Sequence, residues 1–464
     1  MRRFLIISVI VLIPAIAVIL IISGAINKPQ PVVDPVKLVY WTIEDEADNF
    51  KEAIAAYRRS HPYINIEVVT KRSENYYDSL VEAWAKGAGP DIFSIPNTDI
   101  GTYADFIEPL PETTSVYYYQ LKTVLFQKQL SITKQVNQSV TTARLGNDFI
   151  DAVGQDVIRG GDIYGLPLST DSLAIYYNRD ILNNSEIVSP ATTWQELVAQ
   201  IPKLTILDNQ SQIIQSGIAL GLADNVDHSS QILSLLMMQN GTMMTDVSNR
   251  IVIFDRSTDD YSPGLRAIEF YTGFAAPTKE TYTWSDKFSN SVDNFIEGKV
   301  AYLIGTKADG DRIAERETAL RYSLVPMFHI NPDGTDTNAQ TSTRSKINAA
   351  TYMVETVAKR SKHTDEAWHF LQYLSRDDIV ASYLNSTGKV SALRTMLAQQ
   401  VKSPDLEVFA NQALTAKNWY FGEDWLQVDD YFSGLINAII DQSATPLEAL
   451  RQTAKQVQLT YSKS

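Results

Sequence analysis

The chain of 464 residues contains no cysteine. That excludes disulfides, thiol nucleophiles, Cys-ligated zinc, iron–sulfur clusters and lipid attachment through a cysteine. Histidine is scarce, with five residues. His363 and His369 stand six apart, not the three or four of a helical metal pair, so both read as surface or helix-packing residues. No metal or cofactor is expected. GxxxxGK[ST], GxGxxG, HExxH and GxSxG are all missing, which removes support for NTPase, dinucleotide, zinc-protease and serine-hydrolase readings. Basic residues are outnumbered 40 to 54, for a net charge of −14. Residues 1–30 hold three of those basic residues (Arg2, Arg3, Lys28) and no acid, so the remainder carries −17. Such a surface repels nucleic acid and anionic membrane faces, and no nucleic-acid partner is expected. No repeat of solenoid period is present.

One long apolar run exists. Residues 4–26, FLIISVIVLIPAIAVILIISGAI, carry no charge. At 1.5 Å per residue they are long enough to cross the ~30 Å core of a bilayer. Arg2 and Arg3 precede them, so the positive-inside rule leaves the N-terminus in the cytoplasm and the rest outside. A secretory signal has a shorter apolar core, and Ser23-Gly24-Ala25 offers a cleavage site, so a cleaved leader stays open. The length favours an uncleaved, single-pass anchor in the cell membrane over residues 1–27. Residues 28–35, KPQPVVDP, hold three prolines in eight positions and predict a stiff spacer over 28–36.

The length calls for at least two domains. After the spacer, KLVYWT (37–42) reads as a strand. Residues 47–59 carry apolar side chains at helical spacing, and 63–69 alternate as a second strand. A helix face of Tyr77, Leu80, Val81 and Trp84 precedes a buried strand, PDIFSI (90–95). This β-α-β-α-β order implies a parallel sheet. Ligands in open α/β sheets sit beyond the C-terminal strand ends, which singles out Glu44, Asp45 and Glu46, then Asn97, Thr98 and Asp99. Residues 115–145 mix aromatic and polar side chains and are read as helix. Thr193 and Glu196 are spaced as a capping box. Helices are expected at 229–239, around 265–272, at 366–374, 431–440 and 446–457. Strands are expected at 251–254, 300–304 and 348–354, and a polar loop at 331–346.

Residues 161–182, GDIYGLPLSTDSLAIYYNRDIL, place Asp171 between two strand-like runs. It reads either as a turn aspartate satisfied by backbone N–H groups or as a carboxylate facing a ligand cleft. Carboxylates are numerous, and no pair stands out as catalytic, so no enzyme is expected. Trp41, Trp84, Trp194 and Trp368 fall at core positions. Trp284, Trp419 and Trp425 sit in polar, loop-like surroundings (TYTWSDK and NWYFGEDW). Such rings either cover a loop or stack on the apolar face of a sugar whose hydroxyls meet nearby acids.

Taken in order, GAGPDIFSI (87–95), IYGLPLSTDSLAIYYNRDIL (163–182), TTWQELV (192–198), LMMQNG (236–241), FIEGKVAYLIG (295–305) and EAWHFLQYL (366–374) resemble extracellular solute-binding proteins of ABC importers. The resemblance is to the carbohydrate-binding family that includes maltose-binding protein, and it spans most of residues 37–460. It implies an α/β, periplasmic-binding-protein-like fold of two lobes joined by a hinge, with a ligand cleft between them. The lobes are expected at 37–168 with 344–388, and at 169–343 with 389–464. Site residues carried over are Glu44, Asp45, Asn97, Thr98 and Asp171. Lys307 stands where some members carry a stacking tryptophan, so Trp284 and one of Trp419 or Trp425 are expected to stack instead. The implied function is a monomeric receptor that captures a mono- or oligosaccharide, closes by hinge motion and delivers its ligand to ABC permease subunits. A sensor subunit of a signalling system and an extracellular glycosidase are the alternatives.

Overall fold

The computed structural model describes residues 30–43, 45–124, 127–257, 262–316, 319–330 and 346–461. Among them no helix is long and apolar enough to cross a membrane. The expected anchor over 4–26, and most of the polar loop at 331–346, lie outside the described residues.

Three sheets organise the chain. The first has the order 353–357, 92–96, 36–42, 64–70. Its strands Val36–Thr42, Ile64–Thr70 and Ile92–Pro96 run parallel, and Met353–Val357 joins antiparallel. Ile92–Pro96 is buried along almost its whole length, as a strand covered on both faces must be. Helices Lys51–Ser60, Tyr76–Ala85 and Thr364–Leu374 pack their apolar stripes on it through Tyr57, Leu80, Trp84, Trp368 and Phe370. The second sheet has the order 206–207, 213–218, 300–305, 174–178, 322–326. Its central strand Val300–Gly305 is buried throughout. Beside it lies helix Trp194–Leu204, whose capping box forms as the spacing requires.

The third sheet is small and connects the other two. Ser169–Ser172 pairs antiparallel with Asn348–Thr351, flanked by Val390–Ser391 and Ala416–Lys417. Ser169–Ser172 continues into Ala174–Asn178 of the second sheet. Asn348–Thr351 continues, past Tyr352, into Met353–Val357 of the first. The apolar run 348–354 is therefore two strands in two sheets, not one. Buried polar bonds fix this crossing. Asn348 Nδ2 donates to the Leu173 carbonyl at 2.7 Å, and Tyr352 Oη donates to Asp156 at 2.5 Å.

Two expected elements differ. The helix read over 115–145 is instead a long hairpin of Thr113–Val124 and Gln127–Gln138, followed by a short helix from Thr142. Strand alternation is hidden near its base because both faces are covered there. Tyr117 and Tyr119 meet Tyr63 at 5.9 and 6.1 Å, while Tyr118 meets His61 at 4.5 Å. The strand expected at 251–254 is only an isolated bridge from Val252 to Thr245, because no neighbouring strand offers a ladder.

Candidate functional site

The parallel strands of the first sheet end at a cleft. Its larger cavity, about 1340 Å³, has Glu46, Thr70 to Asp78, Asp99, Thr102 and Tyr103 on one wall. Glu423, Asp424, Trp425 and Leu426 form the opposite wall. A second cavity of about 540 Å³ shares Pro96, Met353, Trp425 and Leu426 with the first. It continues past Asn97 and Thr98 to Asp224, Asp227, His228, Gln231, Trp419 and Asp429. Together they make one trough long enough for a ligand of several rings.

Each wall is set by local chemistry. Trp425 opens helix Trp425–Ile440, which Asp424 caps by accepting from Gln427 N at 3.0 Å. Trp419 meets Trp425 at 6.1 Å and 70°, an edge-to-face pair packed on Phe254 and Phe432. Trp419 is 6 % exposed, and its Nε1 is buried without a hydrogen-bond partner. A donor left in that state costs about 1–3 kcal/mol. Burial pushes Asp99 up to about 6 against a hydrogen bond from Thr98, with the Asp424 carboxylate adding to the rise. Burial also disfavours a charged His228, but its 2.7 Å bond to Asp309 and that carboxylate's charge prevail, so its pKa is raised. Burial works to raise the Asp309 carboxyl, but the His228 bond, that imidazole's charge and hydrogen bonds from Thr306 together outweigh it, so its pKa is lowered. At one rim the walls touch. Thr102 Oγ1 donates to the Glu423 carbonyl at 2.5 Å. A Cβ on Gly101 would lie 1.9 Å from the Gly422 carbonyl oxygen, so only glycine permits that approach.

The bacterial extracellular solute-binding protein family model matches residues 41–381. The chain belongs to that family. The chain is therefore a solute-binding protein that works outside the cytoplasm. Its curated relatives include a binding protein of Brucella abortus, 24 % identical over 315 residues, which are 66 % of this chain and 70 % of that one. An ABC transporter-binding protein of Deinococcus radiodurans is 23 % identical over 389 residues, 80 % of this chain and 86 % of the other. Among solved structures, the sugar-binding protein MalE of Xanthomonas citri superposes with a TM-score of 0.69. It is 16 % identical, with 92 % and 97 % of the two chains covered. That likeness gives the periplasmic-binding-protein-like α/β fold.

In this solute-binding protein the expected site residues divide. Asn97, Thr98, Trp419 and Trp425 line the cleft. Asn97 is also a structural tie: it donates to Asp156 at 2.9 Å and accepts from Tyr352 N at 3.3 Å. Glu44 lies outside the described residues. Asp45 is buried away from both cavities, where its carboxylate accepts from Tyr383 Oη at 2.7 Å and Lys389 Nζ at 2.9 Å. Asp171 also stands off the cleft walls. It accepts from Ser172 N at 2.7 Å and from Lys307 N at 3.1 Å, holding the first turn of helix Lys307–Arg316. Burial raises it to about 6, while those backbone bonds pull the other way. This is the backbone-satisfied aspartate of the two readings. The Lys307 ammonium pairs with Asp311 at 2.5 Å.

Trp284 is 0 % exposed, stacks on Phe288 at 4.4 Å and 5°, and donates to Asn225 at 2.8 Å. Both of its faces and its donor are used inside the protein, so it does not stack on a ligand. Sequence reasoning missed the wall residues Arg72, Tyr77, Asp224, His228, Gln231 and Asp429. They lie on loops and helix starts that no motif marks. Glu46 and Asp99, which the strand-end rule singled out, do reach the cleft.

Proposed function

We propose that this protein captures a carbohydrate in the cleft and delivers it to the permease of an ABC importer. The observation that carries the reading is the Trp419–Trp425 pair beside carboxylates in the trough. Aromatic faces suit the C–H faces of sugar rings, and Asp224, Asp429 and Glu46 suit hydroxyls. The sugar-binding MalE of Xanthomonas citri supports the ligand class, and the Deinococcus radiodurans ABC transporter-binding protein supports the importer. The lobes are residues 37–168 with 344–388, and 169–343 with 389–464. They close on ligand about the crossing strands of the third sheet, because bound sugar touches both walls only in the closed form. The receptor is a monomer with no enzymatic step of its own. Residues 4–26 hold it to the membrane as a single-pass anchor, with the binding domain outside.

A thermal-shift screen over mono- and oligosaccharides, with peptides and polyamines beside them, tests the ligand class. A sugar at ~100-fold its Kd adds about 2.7 kcal/mol to stability. A shift with peptides or polyamines and none with any sugar would sink the carbohydrate reading.

A further inference from the structure

The hairpin Thr113–Gln138 belongs to no part of the cleft, and its charge runs against the chain. In a protein of net −14 it holds Lys122, Lys128 and Lys134 and no acid. Pairing of Leu121 with Leu130 and of Tyr119 with Ile132 sets these four side chains on one face. Lys128, Lys134 and Val136 share that face by the same register. Leu121 is 69 % exposed, Leu130 47 % and Val136 66 %. Lys134, nearer the base, shares the field of Glu366, whereas Lys122 and Lys128 form no ion pair among the described residues. The base is held firmly: Tyr118 Oη bonds His369 Nε2 at 2.9 Å, and His369 bonds Tyr57 through Nδ1 at 2.9 Å. The outer half therefore projects as a two-stranded arm.

Its position relative to the N-terminal segment adds a second observation. Ile132 N, on the outer edge of the hairpin, donates to the Gln30 side chain at 2.7 Å. Gln30 is the first described residue and lies within the proline-rich spacer that follows the apolar run. The described part of the spacer thus starts beside this arm.

We propose that the hairpin docks on the anionic phospholipid surface of the membrane, with Leu121 and Leu130 entering the interface and Lys128, on their face, meeting lipid phosphates. Side chains of this kind, apolar and tyrosine with lysine among them, suit the headgroup layer, where each lysine adds to attraction for anionic lipid. Docking would hold the receptor in one orientation on a tether that otherwise leaves it free to rotate. The inference rests on the anchor reading for its geometry.

The absence of cysteine makes the test direct, because a single introduced cysteine is a unique label. The full chain, carrying a fluorophore at Leu121→Cys or, as control, at the fully exposed Val188→Cys, is reconstituted with nitroxide-labelled lipid. Vesicles are phosphatidylcholine with or without phosphatidylglycerol. Quenching of the Leu121 label alone, only with phosphatidylglycerol and lost at high salt, is the expected result. Lys128→Gln should weaken the docked state roughly fivefold, and Lys122→Gln, on the opposite face of the hairpin, should change it less. Equal quenching at both positions, or quenching indifferent to Lys128 and salt, overturns the proposal. So does quenching that appears only when a permease is co-reconstituted, which would assign the arm to a protein partner. A carbonate wash separates the two readings. If the protein leaves the vesicles, the anchor reading fails, and phosphatidylglycerol-dependent quenching of the released protein still decides the hairpin.

Discussion

At the scale of single residues, tryptophan environment separates cleft-lining rings from a fully enclosed one. Trp284, Trp419 and Trp425 lie in similarly polar sequence, yet Trp284 is enclosed with its indole N–H satisfied, and Trp425 stands between two cavities. The distinction is made by partners distant in sequence, such as Asn225 for Trp284, so local composition could not draw it. Trp425→Ala should weaken sugar binding by about 1–3 kcal/mol in calorimetric titration. Trp419→Phe replaces the indole with a smaller aromatic ring and removes the unpartnered N–H. By loosening the packing behind Trp425 it should raise Kd a few-fold, while the void it leaves and the removal of a buried unpaired donor act in opposite directions on ligand-free stability. Wild-type affinity in both variants would move the site elsewhere in the trough. Asp171 carries the same lesson: its carboxylate is engaged by backbone N–H groups of residue 307, 136 positions away. A turn aspartate and a capping aspartate look alike in sequence.

At the scale of elements, the first sheet is joined through a buried carboxylate. Glu355 on the edge strand Met353–Val357 accepts from Ser94 Oγ on the neighbouring strand and from Tyr40 Oη on the strand beyond it, both at 2.5 Å. Burial raises it to about 7, although those bonds and Lys389 favour its charged form. A carboxyl whose folded pKa lies above its unfolded value binds more protons folded than unfolded, so stability falls as pH rises between the two. For Glu355 that window runs from about 4.5 to about 7, with a loss on the order of 3 kcal/mol. Glu355→Gln should flatten this slope in urea denaturation at pH 5 and pH 8. An unchanged slope would place the titration at another buried acid, such as Asp156, which burial raises to about 7. The parallel strands and amphipathic helices around Glu355 were legible because their periodicity reports burial directly. The hairpin was not, because tyrosines on both of its faces erase the alternation.

At the scale of the whole molecule, function depends on two walls meeting. Gly101 and Thr102 come from the first sheet's side, and Gly422 and Glu423 from the side opposite. Gly101→Ala should be neutral or favourable for the helix itself. It pushes the rims apart, however, and should break the Thr102–Glu423 bond, worth about 0.5–1.5 kcal/mol. The expected outcome is a Kd a few-fold to about tenfold higher. Small-angle X-ray scattering of the sugar-saturated variant should also give a larger radius of gyration than wild type. A variant that closes as tightly as wild type would show that this rim contact does not hold the closed form.

The sequence by itself determined the family-bearing motifs, the parallel β-α-β opening, the capping box at Thr193 and the exclusion of cysteine chemistry. Each rests on short-range pattern or composition, which the chain carries wherever it folds. It also pointed to the loops after the first and third strands, and to Trp284 with one of Trp419 or Trp425. Only the tertiary structure decided which acids face the cleft, that Trp284 belongs to the core, and that Asp171 holds a helix start. Those assignments depend on which distant donor reaches a side chain first, and chain crossing between sheets, not local sequence, sets that.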